Sequence, residues 1–346
     1  MRRALALSIA TVVLAAACGG TAVAPSPSPT VAGTTSPTAT PKPSPFSLVV
    51  SYSNLIGDEL PLWATKEGGF FEQNALTVAD LQNIASAQGV PAVIANQVQV
   101  AQVGGSEVLS ANAEGGDLVV VAQLAGVYPF VLEVAADIKT MNDLKGKKIG
   151  VSTVGSSSDI ATRAALKRMG LDADKDVTII AVGSAAQRTA ALLAGSIQAG
   201  VSQPPDSIAL EDKGFHVLYD LASQKLPSAN TSVVVTRSFL NANKAVVQRY
   251  VDSLVQGIKK LKADRPFGID VLKKYFKSTD DKAMGATYDF YAQLVTATQP
   301  FAKPEMFADA QTILGAKSDK VKAYDVTKML DTSFVQSAVD RGLDKN

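Results

Sequence analysis

Three times in succession the sequence runs a short apolar segment into a polar turn and then into a stretch with helical periodicity. Ser47–Tyr52 leads through Ser53-Asn54 to the helix-like run Leu60–Phe71. Leu76–Leu81 leads through Asn83–Gly89 to a helix over Val90–Asn96, whose apolar face is Val90, Val93 and Ile94. Gln99–Val103 leads through Gly104-Gly105-Ser106 to a helix from Glu107 to Ala113. Strand, turn and helix in that repeated order predict an α/β protein with a parallel sheet covered by helices, because a parallel crossover needs a helix's length of chain to return. In such sheets ligands bind beyond the carboxyl ends of the strands. The polar turns are therefore the candidate site.

The pattern resumes further on. Strands are expected at Leu118–Ala125 and Val131–Val134, around the turn Gly126–Pro129. Lys147–Val151 then passes through a serine- and glycine-rich turn, Ser152–Ser158, into a helix carrying Ile160, Ala161, Ala164, Ala165 and Leu166 at helical spacing. Val177–Val182, Gly183-Ser184 and Ala186–Ala194 repeat the unit, and Ala199–Val201 with Ser202–Pro205 and Ser207–Lys213 repeat it again, before a strand at Phe215–Tyr219. Two such groups facing each other make a cleft. A helix start leaves backbone N–H groups unpaired and carries partial positive charge, so small residues there let a polar or anionic ligand approach. The candidates are Ser53, Asn54, Ser86, Gly105 and Ser106 from the first group and Thr153, Ser156, Ser157, Ser184 and Ser202 from the second. Each also reads as a cap or turn residue. Tyr128, Trp63 or Tyr52 could stack on a flat ligand, with core packing the alternative for Trp63. Arg163 and Arg188 fall inside helices and are expected to face solvent, which leaves any anion to backbone N–H groups.

After a strand at Thr231–Thr236 the chain turns helical. Val247, Val251, Leu254, Val255, Ile258 and Leu261 form one face of a long amphipathic helix, and shorter helices are expected at Phe267–Tyr275, Asp280–Thr298 and Pro304–Leu314. They read as a skirt packed on the first lobe.

Catalysis has little to work with. The single histidine, His216, sits in an apolar strand, no His/Cys spacing suggests a metal, and no Gly-x-Ser-x-Gly elbow, Walker or Rossmann fingerprint occurs. No cofactor is expected. With 33 basic and 32 acidic residues the net charge is +1, and no basic cluster with interleaved aromatics points to nucleic acid.

The N-terminus reads as an export signal over 1-17: Met1-Arg2-Arg3, then the apolar run Ala4–Ala17, short for a membrane span. Leu14-Ala15-Ala16-Ala17-Cys18 resembles the bacterial lipobox, with Ala15 where leucine is usual, which implies that Cys18 is lipidated. Residues 18-45 then form a Pro/Ser/Thr tether with almost nothing to build a core. Its coil dimension is on the order of 25–30 Å. Cys18 is the only cysteine, so no intramolecular disulfide can form.

Four segments carry a resemblance to the solute-binding proteins of ABC transporters, the nitrate, sulfonate, taurine and thiamine-precursor group. Pro61–Phe71 resembles the family's P-L-x-x-A-x-x-x-G-x-F segment and Asp143–Val151 its D-L-K-G-K-x-I-G-V entry to the second lobe; Ala191–Val201 is similar to A-L-x-x-G-x-V-D-A and Gly214–Leu218 to G-x-x-x-L. Gln198 and Pro204-Pro205 depart from the pattern. The resemblance implies a two-lobed, type II periplasmic-binding-protein fold. Each lobe is a mainly parallel sheet flanked by helices, and the C-terminal helices pack on lobe one. Lobe one is expected at 46-131 and 229-346, lobe two at 132-228, with crossovers near Phe130–Glu133 and Ser228–Thr231 and hinge closure over one solute. It further implies an extracytoplasmic, lipid-anchored, non-enzymatic monomer that hands a small polar organic solute or oxyanion to ABC permease subunits. The alternatives are a sensing receptor without transport and an extracytoplasmic enzyme on the same fold; relatives that make the thiamine pyrimidine use a cysteine-rich iron site, which one cysteine cannot supply.

Overall fold

Apolar runs become strands and polar turns become helix starts throughout the computed structural model, which describes residues 44–345 without the side chains of Ser86 and Ala87. The expected signal peptide, Cys18 and nearly all of the tether lie outside the described residues. Twelve strands occur among them: β1 (Phe46–Ser47), β2 (Val50–Tyr52), β3 (Leu76–Thr77), β4 (Leu81–Asn83), β5 (Val100–Val103), β6 (Leu118–Val127), β7 (Val131–Val134), β8 (Lys148–Val151), β9 (Thr178–Ala181), β10 (Ala199–Ser202), β11 (His216–Asp220) and β12 (Pro227–Thr236). β1 and β3 form a small parallel pair.

The other ten make two sheets of five, ordered β4-β2-β5-β12-β6 and β11-β7-β10-β8-β9. In each sheet one strand runs against the other four: β12, antiparallel to β5 and β6, and β7, antiparallel to β10 and β11. Both sheets are thus mainly parallel, as a chain of strand–helix repeats requires. The chain leaves the first sheet after Val127, enters the second at Val131, and returns between Asp220 and Pro227.

Helices cover both sheets, and the long one is Lys244–Ala263. It buries Val247, Val251, Leu254, Val255, Ile258 and Leu261, the face its spacing marks out. Under it lies a core cluster containing Trp63, Phe71, Tyr250, Tyr288 and Tyr291. Trp63 is fully buried and stacks on Tyr275 at 4.5 Å, so its role is packing. A second cluster draws Val103, Leu109 and Val234 from the first lobe together with Leu132, Ile149, Ile160 and Val201 from the second. The two lobes therefore share apolar surface.

Several local expectations change. The strand expected over Leu76–Leu81 is two: β3 pairs with β1, and β4, Leu81–Asn83, pairs with β2 in the first large sheet. The single helix expected over Leu60–Phe71 is broken into Leu60–Glu67 and Phe70–Gln73, because Gly69 takes φ +70°, a conformation that ends a helical turn and that glycine adopts without steric cost. The stretch expected as one helix over Asp280–Thr298 changes from α-helix (Asp281–Tyr288) to π-helix (Asp289–Val295). The C-terminal helices pack on lobe one, and one of them, Ala308–Gly315, also touches lobe two. There Asp309 accepts a hydrogen bond from the Tyr128 hydroxyl (2.9 Å) and pairs with Arg168 Nη2 (3.1 Å).

Candidate functional site

Between the carboxyl ends of the two sheets lies a small cavity of about 40 Å³. Three helices of nine or more residues begin at it. Gly104 caps Gly105–Ala113, Ser156 caps Ser157–Arg168, and Ala185 opens Ala185–Leu193. Their N-termini bring unpaired N–H groups and positive partial charge to one place. The lobes meet closely here. Ser157 Oγ donates to the backbone oxygen of Asn230 across the cleft (3.5 Å), and a Cβ on Gly104 would collide with Ser157 Oγ. A side chain at 104 would make Ser157 and the Glu107 carboxylate move aside.

Four of the expected residues line the cavity: Ser53, Asn54, Ser156 and Ser157. Ser156 is internally engaged, donating to Thr153 O at 2.7 Å. Ser106 and Tyr128 line a smaller adjoining pocket that shares Ser157; Ser106 Oγ donates to Glu107 Oε2 (2.7 Å). Burial and the neighbouring Asp309 carboxylate push the Tyr128 hydroxyl far above its ordinary pKa, so it stays protonated and donates to Asp309. Gly105, Thr153, Ser184 and Ser202 lie in the same turns but are not among the lining residues. Ser184 instead forms a capping box with Gln187. Ser86 opens the helix Ser86–Ile94, and its side chain is not described. Tyr52 packs edge-on against Trp63 in the core.

The expectation that Arg163 and Arg188 face solvent is overturned. Arg163 is held by Asp159 and Asp174, both at 2.9 Å, with its side chain 11 % exposed. Arg188 is only 4 % exposed and lines the cavity. Its position follows from helix spacing: Ala185, Arg188 and Leu192 form the buried stripe of their helix. Space for the stem comes chiefly from Gly200 on β10, paired in register with Gly150 on β8, where a Cβ would meet Ile197 and Val182 before the arginine. A Cβ at Gly200 would stand 3.2 Å from both Cγ and Cδ of the arginine. Past the glycines, Arg188 Nε donates to Val201 O (2.7 Å) and Nη1 to Ser152 Oγ (3.1 Å). Burial lowers its pKa to about 10, with Asp206 opposing the fall through space, so the guanidinium remains charged at neutral pH. Among the described residues it forms no ion pair within 4.0 Å.

The opposite wall comes from lobe one and was not foreseen. Asp58, 2 % exposed, accepts hydrogen bonds at Oδ2 from Asn230 Nδ2 and from Thr231 Oγ1, the latter at 2.9 Å. Burial raises its pKa to about 6 against the pull of hydrogen bonds from Thr231, Tyr291 and Asn230. Gln203 adds a buried amide from lobe two. In chemical terms the cavity offers one fixed cation, one carboxyl group and a ring of neutral donors and acceptors. Among the described residues no group of three or more His, Cys, Asp or Glu comes together to hold a metal ion. His216 is on the edge strand β11, away from the cavity lining.

A family model described as NMT1/THI5 like matches residues 58–265. No curated protein matches the sequence significantly. Among solved structures the chain is similar to the alkanesulfonate-binding protein SsuA of Xanthomonas axonopodis pv. citri bound to MOPS, with 20% identity, TM-score 0.70, and 84% of this chain and 99% of that one covered. It is also similar to the periplasmic aliphatic sulphonate binding protein SsuA of Escherichia coli (22% identity, TM-score 0.65, 83% and 97% covered). A third likeness is to the periplasmic nitrate-binding protein NrtA of Synechocystis PCC 6803 (13%, 0.65, 85% and 88%). At these identities the likeness is one of fold.

Proposed function

Since this chain belongs to the NMT1/THI5-like family, we propose that it is the extracytoplasmic solute-binding component of an ABC importer, closing two lobes over a small polar organic solute or oxyanion without turning it over. The observation that carries this reading is Arg188, a buried guanidinium with no carboxylate contact, placed where three helix N-termini converge. A buried charge is costly unless a counter-charge meets it; a bound anionic group supplies one. Solved relatives of this fold named for sulfonate and nitrate binding support the choice of ligand class.

The test is thermal unfolding of the purified protein against a panel of sulfonates, nitrate, pyrimidines, amino acids and aromatic acids. A true ligand at a hundred times its dissociation constant adds about 2.7 kcal/mol to stability, a shift of several degrees. A panel that moves the transition nowhere overturns the reading.

The membrane attachment is a separate part of the proposal. Lipid on Cys18 would anchor a monomer whose tether lets the body reach the permease subunits. Cys18→Ala is expected to move the protein from the membrane fraction to the soluble one. Unchanged fractionation would remove the lipoprotein assignment and leave solute binding untouched.

A further inference from the structure

Behind the cavity wall stands Tyr291, fully buried and not among the lining residues. It belongs to the π-helix Asp289–Val295, where the Thr296 N–H reaches back five residues to the Tyr291 carbonyl at 2.8 Å. Lys262 Nζ donates to the next carbonyl, Ala292 O, at 2.6 Å. Such widened turns are rare and frequently mark functional sites. The ring is confined on two sides: Phe290 meets it edge-on at 5.0 Å, and Gly57 lies so close that a Cβ there would collide with it. A ring held in this way gives its hydroxyl one direction.

That hydroxyl faces Asp58 of lobe one and Gln203 of lobe two. Burial and the Asp58 carboxyl keep it protonated, so it has one hydrogen to give and lone pairs to receive. The Tyr291 hydroxyl, Asp58 Oδ1 and Gln203 Oε1 are all buried, and none has a hydrogen-bond partner. Unmatched, such groups are costly; joined in series they satisfy one another. The Gln203 amide, turned to present its nitrogen, donates to the tyrosine oxygen, and the tyrosine donates to Asp58.

We propose that Tyr291 is a positioning residue for lobe closure: a relay from Gln203 through Tyr291 to Asp58 ties lobe two to lobe one behind the cavity and stabilises the closed arrangement without touching solute. The proposal deepens the closure part of the solute-binding reading and rests on it. Because the relay forms only when the lobes meet, deleting it favours opening and leaves the packing within each lobe as it was. Closure also gives Asp58 a third donor, beside Asn230 and Thr231, and each donor to a carboxylate favours its charged form. The other groups around Asp58 are Glu59, its own pKa raised by burial and by Asp58, and Arg188 on the lobe-two wall, while Asp206 acts on Tyr291 through space. With these unchanged, loss of the Tyr291 hydroxyl moves the ionisation of Asp58 upward from about 6.

The experiment measures the distance between the lobes by pulsed electron spin resonance in the purified, solute-free protein. Spin labels are attached at Glu72→Cys and Lys213→Cys, two exposed positions, one in each lobe, in a Cys18→Ala background. Tyr291→Phe, which keeps the ring, is expected to lower the ratio of closed to open molecules roughly tenfold. Gln203→Ala reads the same bridge from the lobe-two end and is expected to act in the same direction, with the double variant opening no further than Tyr291→Phe alone. Carboxyl-carbon NMR is expected to show Asp58 titrating higher in Tyr291→Phe than in the parent protein. Unchanged distances in both single variants, effects that simply add, or an Asp58 that titrates as before would overturn the relay. A Tyr291→Phe protein that loses stability and keeps its closure would overturn it too, as a packing residue behaves that way. The distances are read without solute, so a relay that fails here and a thermal panel that stays silent are separate results.

Discussion

Replacing Arg188 by methionine is expected to weaken solute binding by roughly a hundredfold or more while leaving the melting temperature of the free protein unchanged or higher. Methionine keeps an unbranched stem over Gly150 and Gly200 and deletes only the charged head. Charge-assisted hydrogen bonds lost to a buried ligand typically cost about 2–5 kcal/mol, which sets the size of the effect on affinity. The stability arm follows from the sign of the pKa shift. Burial lowers the arginine from its ordinary value to about 10, so the fold disfavours the charged form at every pH below that. Removing the charge relieves a penalty that the two hydrogen bonds to Val201 and Ser152 offset only in part. Calorimetric titration and thermal unfolding of the same preparation separate the two readouts. A variant that unfolds early but binds normally would make Arg188 a structural residue.

The opposite profile is expected of Trp63→Ala. Its ring is wholly buried, stacked on Tyr275 at 4.5 Å and met edge-on by Tyr52 and Phe276 at 5.9 and 5.8 Å. Truncating a packed aromatic of this kind costs about 3–5 kcal/mol, a large share of the 5–15 kcal/mol that holds a typical domain. The residue lies in the helix-covered core of lobe one and is not among those lining the cavity. Denaturant unfolding should show the full loss, and whatever fraction remains folded should bind with unchanged affinity. A selective loss of affinity would place Trp63 in the site after all.

What the sequence made legible was the place of the site more than its residues. The turns after β2, β5, β8, β9 and β10 were identifiable from serine, glycine and asparagine following apolar runs. Within a turn, however, the neighbour often faces the cavity: Gly104 and not Gly105, Ser152 and not Thr153, Ala185 and not Ser184, Gln203 and not Ser202. Which of two adjacent residues points inward depends on strand register and on the first dihedrals of the helix, and composition does not reveal them. Arg188 carried a readable signal, an arginine on the same helical stripe as Ala185 and Leu192. Asp58 carried none, since the pair Asp58-Glu59 has the look of an exposed acidic turn; its burial comes from Asn230, Thr231 and Tyr291, all more than a hundred and seventy positions away. The long helix Lys244–Ala263 was legible because one element's own periodicity determines its buried face.

The paired glycines at 150 and 200 bear on how such a site changes over time. Gly200 leaves the track along which the unbranched stem of residue 188 runs, and Gly150 beside it makes room for Ile197 and Val182. Lysine, glutamine or methionine could follow the same track and present a different head at the same spot, giving up the hydrogen bond from Nε to the Val201 carbonyl. The polarity of the chamber is thereby detached from the packing that supports it. A single codon at position 188 can change what is admitted while the stem's track along Gly200 stays in place.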